Sequence, residues 1–230
     1  MKAVYQGIGL PTTTYLSQEL GGNIGVADVA PKYDPETAKA LLAEVGWVPG
    51  ADGILVAENV EGVEKGTPLE VSYWTYQEDE FRRLAEVTQK MLADVGIKAN
   101  VQIMDSPTYA DRLKAGGAQL ILRKYEWDNN DILEWFHHGK HLPYPNYLGV
   151  NDAEYDALLD DANYKTPTFE ERDTKYQELH KYLIDTWYPW APIRQTAYVF
   201  VGSSKVKDVM AIPLRGLAST AVWTVIDLEQ

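Results

Sequence analysis

The chain has 230 residues, 45% of them hydrophobic, and carries 21 basic against 34 acidic side chains for a formal charge of −13. That length supplies a core for one large α/β domain or two small ones, and the acidic balance argues against nucleic-acid and anionic-membrane partners, which demand a basic face. The absence of cysteine excludes disulfides, thiolate metal sites and cysteine nucleophiles, and no apolar run approaches membrane-spanning length. Met1 to Gly7 lacks the apolar centre of a signal peptide. Residues 8–33, rich in Thr, Gly and Pro, read as a long irregular segment.

A helix follows. Asp34 is placed to cap it, Pro35 to open it, and Ala38, Leu41, Leu42 and Val45 recur at helical spacing. Gly46 stands where a left-handed C-terminal cap is needed, and residues 49–53 form a turn. Leu69, Val71, Tyr73 and Thr75 alternate as in a strand. A second helix runs from about Glu78 to Val95, with Phe81, Leu84, Ala85, Thr88, Met91, Leu92 and Val95 on one face, and Gly96 ends it. Ile97, Ala99, Val101 and Ile103 then alternate as another strand. Strand, helix and strand over this length make a parallel crossover.

Ser106-Pro107 opens a short helix that stops near Gly116-Gly117. Residues 118–127 read as a third strand, and a polar loop with Pro143 and Pro145 follows. Asn151 with Glu154, and Thr168 with Glu171, have capping-box spacing. The first box opens a helix through Tyr155, Leu158, Leu159 and Ala162, the second a longer one to about Asp185. From Ala191 onward the chain reads as strands and loops. The expected fold class is therefore α/β, a small and mostly parallel sheet flanked by helices.

In such sheets ligands sit beyond the carboxyl ends of the strands. Here those ends are Trp74, Thr75, Tyr76 and Gln77, and Tyr125 to Asn130, both rich in aromatic and amide groups. The whole chain holds seven Trp and fifteen Tyr against four Phe; Trp and Tyr offer an apolar face together with a polar atom.

Four stretches carry a family resemblance. They are Tyr33 to Leu42 with Gly46-Trp47 and the Asp52-Gly53-Ile54 turn; Met91 to Ile97; the strand entering Trp127-Asp128; and Asn151 to Leu159, followed by a helix holding Glu171-Arg172. Across roughly residues 5–200 they resemble, in order and spacing, the C-terminal lobe of the family 5 solute-binding proteins. That group includes binders of oligopeptides, dipeptides and nickel. The resemblance implies one lobe of a type II periplasmic-binding-protein-like fold, with residues 1–200 as the ligand-binding lobe and 201–230 as a tail returning to a first lobe. It also implies that the lobe is excised from a longer two-lobe protein, with Ala3 to Gly7 ending a helix that normally lies mid-chain. The role implied is the non-catalytic receptor of an ABC importer, periplasmic or extracellular in the parent protein. Its partners would be a permease and the first lobe.

In peptide-binding members an Asp shortly after the strand-end Trp pairs with the ligand's amine. The usual spacing puts Asn130 there, and Asp128 fills the role only if the loop is shorter. A subset with a similar pattern takes oligosaccharides, whose hydroxyls and flat C–H faces suit Trp, Tyr, Asn, Gln and Asp. The favoured ligand is a β-linked gluco-disaccharide and the alternative a peptide. The expected ligand-binding residues are Trp74, Tyr76, Gln77, Tyr125, Trp127, Asp128, Asn129, Asn130 and Trp135; Trp47, Trp187, Trp190 and Trp223 are assigned to packing.

Two other readings compete with this one. His137, His138 and His141 invite a metal, but the run contains Gly139 and precedes Pro143, so a partly exposed polar loop is expected, with neither metal nor cofactor. A glycoside hydrolase needs two carboxyls flanking one bond. Asp128, Asp131 and Glu134 lie close in sequence, but a chain so rich in acids produces such proximity by chance.

Overall fold

A computed structural model describes residues 2–16, 21–125, 127, 129–195, 206–207 and 227–228. In chain order the helices are α1 (Lys2–Tyr5), α2 (Pro35–Glu44), α3 (Asp79–Ala93), α4 (Ser106–Ala115), α5 (Ile132–His137), α6 (Ala153–Tyr164) and α7 (Phe169–Thr186). The strands are β1 (Leu10–Pro11), β2 (Trp47–Pro49), β3 (Leu55–Ala57), β4 (Glu70–Tyr76), β5 (Lys98–Met104), β6 (Leu120–Ile121), β7 (Arg194–Gln195), β8 (Val206–Lys207) and β9 (Asp227–Leu228). The chain folds as two compact units. One comprises Lys2–Gln6 and Pro31–Lys124; the other comprises Gly7–Ala30 and the chain from Tyr125 onward.

The first unit is built on a three-stranded parallel sheet in the order β5-β4-β6. β4 and β5 pair in register from Glu70 opposite Lys98 to Tyr76 opposite Met104. The helix between them, α3, closes the parallel crossover that the alternating pattern predicts. Tyr73, Phe81, Leu84, Ala85, Ala99 and Leu122 form the core, with Val4 and Tyr5 of α1 packed against it. Burying each large side chain is worth roughly 1.5–3 kcal/mol, so this cluster fixes α3 on the sheet. The expected third strand, 118–127, is shorter than its sequence suggests: only Leu120 and Ile121 ladder onto β4.

α2 begins where the sequence puts it. The Asp34 carboxylate accepts the backbone N–H groups of Glu36 and Thr37 at 3.1 and 3.0 Å, satisfying two donors that a helix start leaves open. Gly46 follows with φ +99°, and a Cβ there would sit 2.5 Å from the Asn59 carbonyl oxygen, so both conformation and space demand glycine. No residue of α2 is fully buried, and Leu41 and Val45 are exposed.

The second unit is mainly helical. α6 and α7 pack together around Tyr155, Leu159, Tyr176, Leu179 and Leu183, joined by Val26, Leu133 and Val150. β1 and β7 form a short antiparallel ladder, as do β8 and β9. Two local expectations need correction. The cap of α6 is Asp152, not Asn151: its Oδ1 accepts from the N–H groups of Glu154 and Tyr155 at 2.9 and 3.1 Å. The stretch expected to be a polar loop contains α5, which buries Ile132, Leu133, Phe136 and His137. By contrast, the Thr168 and Glu171 capping box forms as its spacing predicts.

Candidate functional site

In the second unit the chain leaving the sheet runs through Tyr125 and Trp127 into α5. Phe136 of that helix gathers the aromatics. Tyr125 meets it edge-on at 4.8 Å, Trp127 at 5.5 Å and Tyr147 at 5.8 Å. Trp190 lies 4.8 Å from Tyr125. The Tyr125 and Tyr147 hydroxyls hydrogen-bond to each other. Tyr125, Trp127, Tyr147 and Trp190 are each partly exposed, so this wall has one face on the core and one toward solvent.

Polar groups border it. The Trp127 indole N–H donates to Asp131, and Asn129 Oδ1 accepts the Asp131 backbone N–H at 3.0 Å, closing a tight turn. Asn130 Oδ1 and Trp190 Nε1 are buried without a hydrogen-bond partner. Glu134 is already engaged: it accepts from the Asn163 amide at 2.8 Å and pairs with Lys140 at 2.5 Å.

The residues expected at the site therefore divide. Tyr125 and Trp127 meet Phe136, and Asn129 and Asn130 lie at the turn that enters α5. Asp128 lies outside the described residues. Trp135 is 44% exposed and stacks on His141 at 4.8 Å, while its neighbour Phe136 is buried among the other rings. In the first unit, Trp74 is 7% exposed with the Arg112 guanidinium 5.6 Å over its ring, and its Nε1 is buried without a partner. Tyr76 is half-buried between Phe81 and Tyr109. Gln77 is exposed at the end of β4, its backbone N–H donating to Met104.

Sequence reasoning gave Tyr147 no part in the site and assigned Trp190 to packing, and Trp190 does lie against the core of the second unit. Tyr147 carries no periodic signal, and Trp190 is separated from Trp127 by 63 positions, so only the fold unites them.

Two of the three histidines depart from the partly exposed polar loop expected of them, while His141 is partly exposed. His137 is fully buried and His138 is 8% exposed. Burial pushes the His137 imidazole down to about 3, so it is neutral at pH 7 and donates from Nδ1 to the Leu133 carbonyl at 3.2 Å. Among the described residues no group of three or more His, Asp or Glu is arranged to hold a metal ion.

Comparison with known proteins places this geometry in context. The family model described as bacterial extracellular solute-binding proteins, family 5, middle region, matches residues 1–142. Heme-binding protein A of Haemophilus influenzae is 27% identical over 217 residues, 93% of this chain and 37% of that protein. The dipeptide-binding protein of Escherichia coli is 32% identical over 140 residues, 59% of this chain and 23% of that protein. The chain thus spans about a third or less of the length of these curated relatives. Among solved structures, the periplasmic binding protein DppA of Helicobacter pylori in complex with the peptide STSA superposes with a TM-score of 0.74 at 18% identity, covering 100% of this chain and 41% of that one.

Proposed function

The chain belongs to the bacterial extracellular solute-binding proteins of family 5, and on that premise we propose that it is the ligand-binding part of a non-enzymatic receptor that captures short peptides for an ABC-type importer outside the cytoplasmic membrane. The observation that carries the reading is the 32% identity, over 140 residues, to a protein named for dipeptide binding. The aromatic wall at Tyr125, Trp127, Tyr147 and Trp190 supplies apolar surface for a peptide side chain. Asp128, one residue past Trp127, supplies the carboxylate for its amine if the loop is two residues shorter than in peptide-binding members. The formal charge of −13 favours a ligand carrying a positive group.

The sugar favoured by the sequence loses ground on two counts. The curated relatives are named for heme and peptides, and Trp74, 7% exposed, has the Arg112 guanidinium over its ring. A sugar-stacking Trp needs an open face. In this reading the permease and a first lobe are the partners, and residues 201–230, most of which lie outside the described residues, return to that lobe.

Calorimetric titration with a di- and tripeptide pool and, separately, with cellobiose tests the proposal. Saturable heat with the peptides alone, reduced about tenfold or more in affinity by Trp127→Ala, is the expected result. Saturation by cellobiose with silence from the peptides overturns it.

A further inference from the structure

His180 of α7 ties distant parts of the second unit together. Its Nε2 accepts the backbone N–H of Tyr15 at 2.9 Å, and its Nδ1 faces the Gly22 carbonyl at 3.3 Å. A carbonyl can only accept, so Nδ1 carries the proton. Nε2 must then be bare to receive Tyr15. The two bonds together require the neutral ring in a single tautomer. From two turns earlier on α7, Asp173 accepts the Gly22 N–H. The same helix therefore holds both Tyr15 and Gly22.

The geometry points to His180 as a pH-sensitive clasp: protonation of Nε2 turns its acceptor into a donor, breaks the Tyr15 bond and frees Tyr15 from α7. A protonated ring would set N–H against N–H at a 2.9 Å contact, which has no compensating partner in place.

The surroundings do not rescue the cation. From the 15–22 side His180 meets the Tyr15 ring at 5.0 Å. Burial pushes that phenol far above its ordinary range, so it stays neutral. From α5 comes His137, fully buried and held neutral by the same cause. From its own helix come Asp173, committed to Gly22, and Tyr176, whose phenol burial also raises. Beyond α7 come Tyr188 and Trp190, which contact Tyr15. Burial is the leading cause that lowers His180 to about 4, and the only opposing influence is the Gly22 carbonyl. The clasp therefore holds at neutral pH, weakens as the pH falls below 6.5 and opens as it falls through about 4. The opening reaches toward the candidate site, because Tyr15 seats against Trp190 at 5.3 Å and Trp190 against Tyr125 at 4.8 Å.

Amide hydrogen exchange at Tyr15 reads the clasp directly, and the test is independent of which solute the protein captures. Corrected for intrinsic rates, Tyr15 protection in the wild type is expected to fall about tenfold between pH 7 and pH 5.5, as linkage to an imidazole lowered from 6.5 requires. His180→Gln keeps an acceptor and a donor but cannot titrate in this range, so it should hold Tyr15 protection nearly constant. A folded His180→Gln protein whose Tyr15 amide follows the wild-type pH dependence overturns the clasp. Should the variant fail to fold, nitrogen-15 NMR of wild-type His180 decides: the Nδ1–H tautomer at pH 7 with titration near 4 supports it, and an Nε2–H tautomer or titration near 6.5 overturns it.

Discussion

His137 and His180 set the chain's response to acid. Burial lowers both, to about 3 and about 4 against an ordinary 6.5. A group lowered in the fold binds its proton more readily when unfolded, so its stabilising contribution is full above 6.5 and is lost as the pH falls toward the folded value. Each histidine then withdraws on the order of 2–3 kcal/mol by pH 4.5. Asp152 acts in the same direction lower down. It accepts from the Trp187 indole at 2.8 Å and the Tyr182 hydroxyl at 2.9 Å while capping α6, bonds that hold it below the usual carboxylate range. Its contribution is lost only as the pH drops below that range. Protonating the many exposed acids relieves self-repulsion and opposes this, but solvent and salt screen those charges. The urea midpoint is therefore expected to fall steeply between pH 7 and pH 4.5, and a midpoint unchanged over that interval would show that the histidines are not buried neutral.

At the scale of elements, α2 and the α6–α7 pair are opposites. α2 is held by its cap, its glycine stop and one hairpin, with Leu41 58% exposed. α6 and α7 close over Leu159, Leu179 and Leu183, each fully buried. Leu159→Ala should cost about 2–5 kcal/mol in chemical denaturation, because it leaves a cavity as well as losing burial. Leu41→Ala should shift stability by under about 1 kcal/mol. Equal effects of the two would contradict the packing described.

The same contrast explains what the sequence disclosed. The α2 start, β4, α3 and β5 were legible because local signals, namely Asp34-Pro35, period-two alternation and a helical stripe, agree with the tertiary outcome. α5 was not, because six residues carry less than two helical turns of pattern and sit between an Asn-rich turn and two prolines. The short β6 was overread, since an apolar run cannot tell a laddered strand from an extended exit. At the site, the aromatic and amide composition near Trp127 was visible, but the partnership of Tyr125 with Tyr147 and Trp190 arises from long-range packing that no local spacing encodes. The cap of α6 moved by one residue because Asn151 and Asp152 both suit the position, and only the backbone decides between them.

For the whole molecule, family membership and the α/β fold agree, and both concern a chain that covers about a third of its relatives. A closed cleft removes most of a ligand from water, so the affinity of this chain alone should be modest, with most of the selectivity residing in whichever polar contact it contributes. For a peptide that contact is the recognition of a free amine by a carboxylate, a charge-assisted bond that a neutral amide cannot replace. Titrating one dipeptide against its N-acetylated form therefore tests the central claim most directly. The account predicts saturable binding of the free dipeptide and a loss of about tenfold or more on acetylation; equal binding of the two forms, or binding of neither while cellobiose saturates, would contradict it.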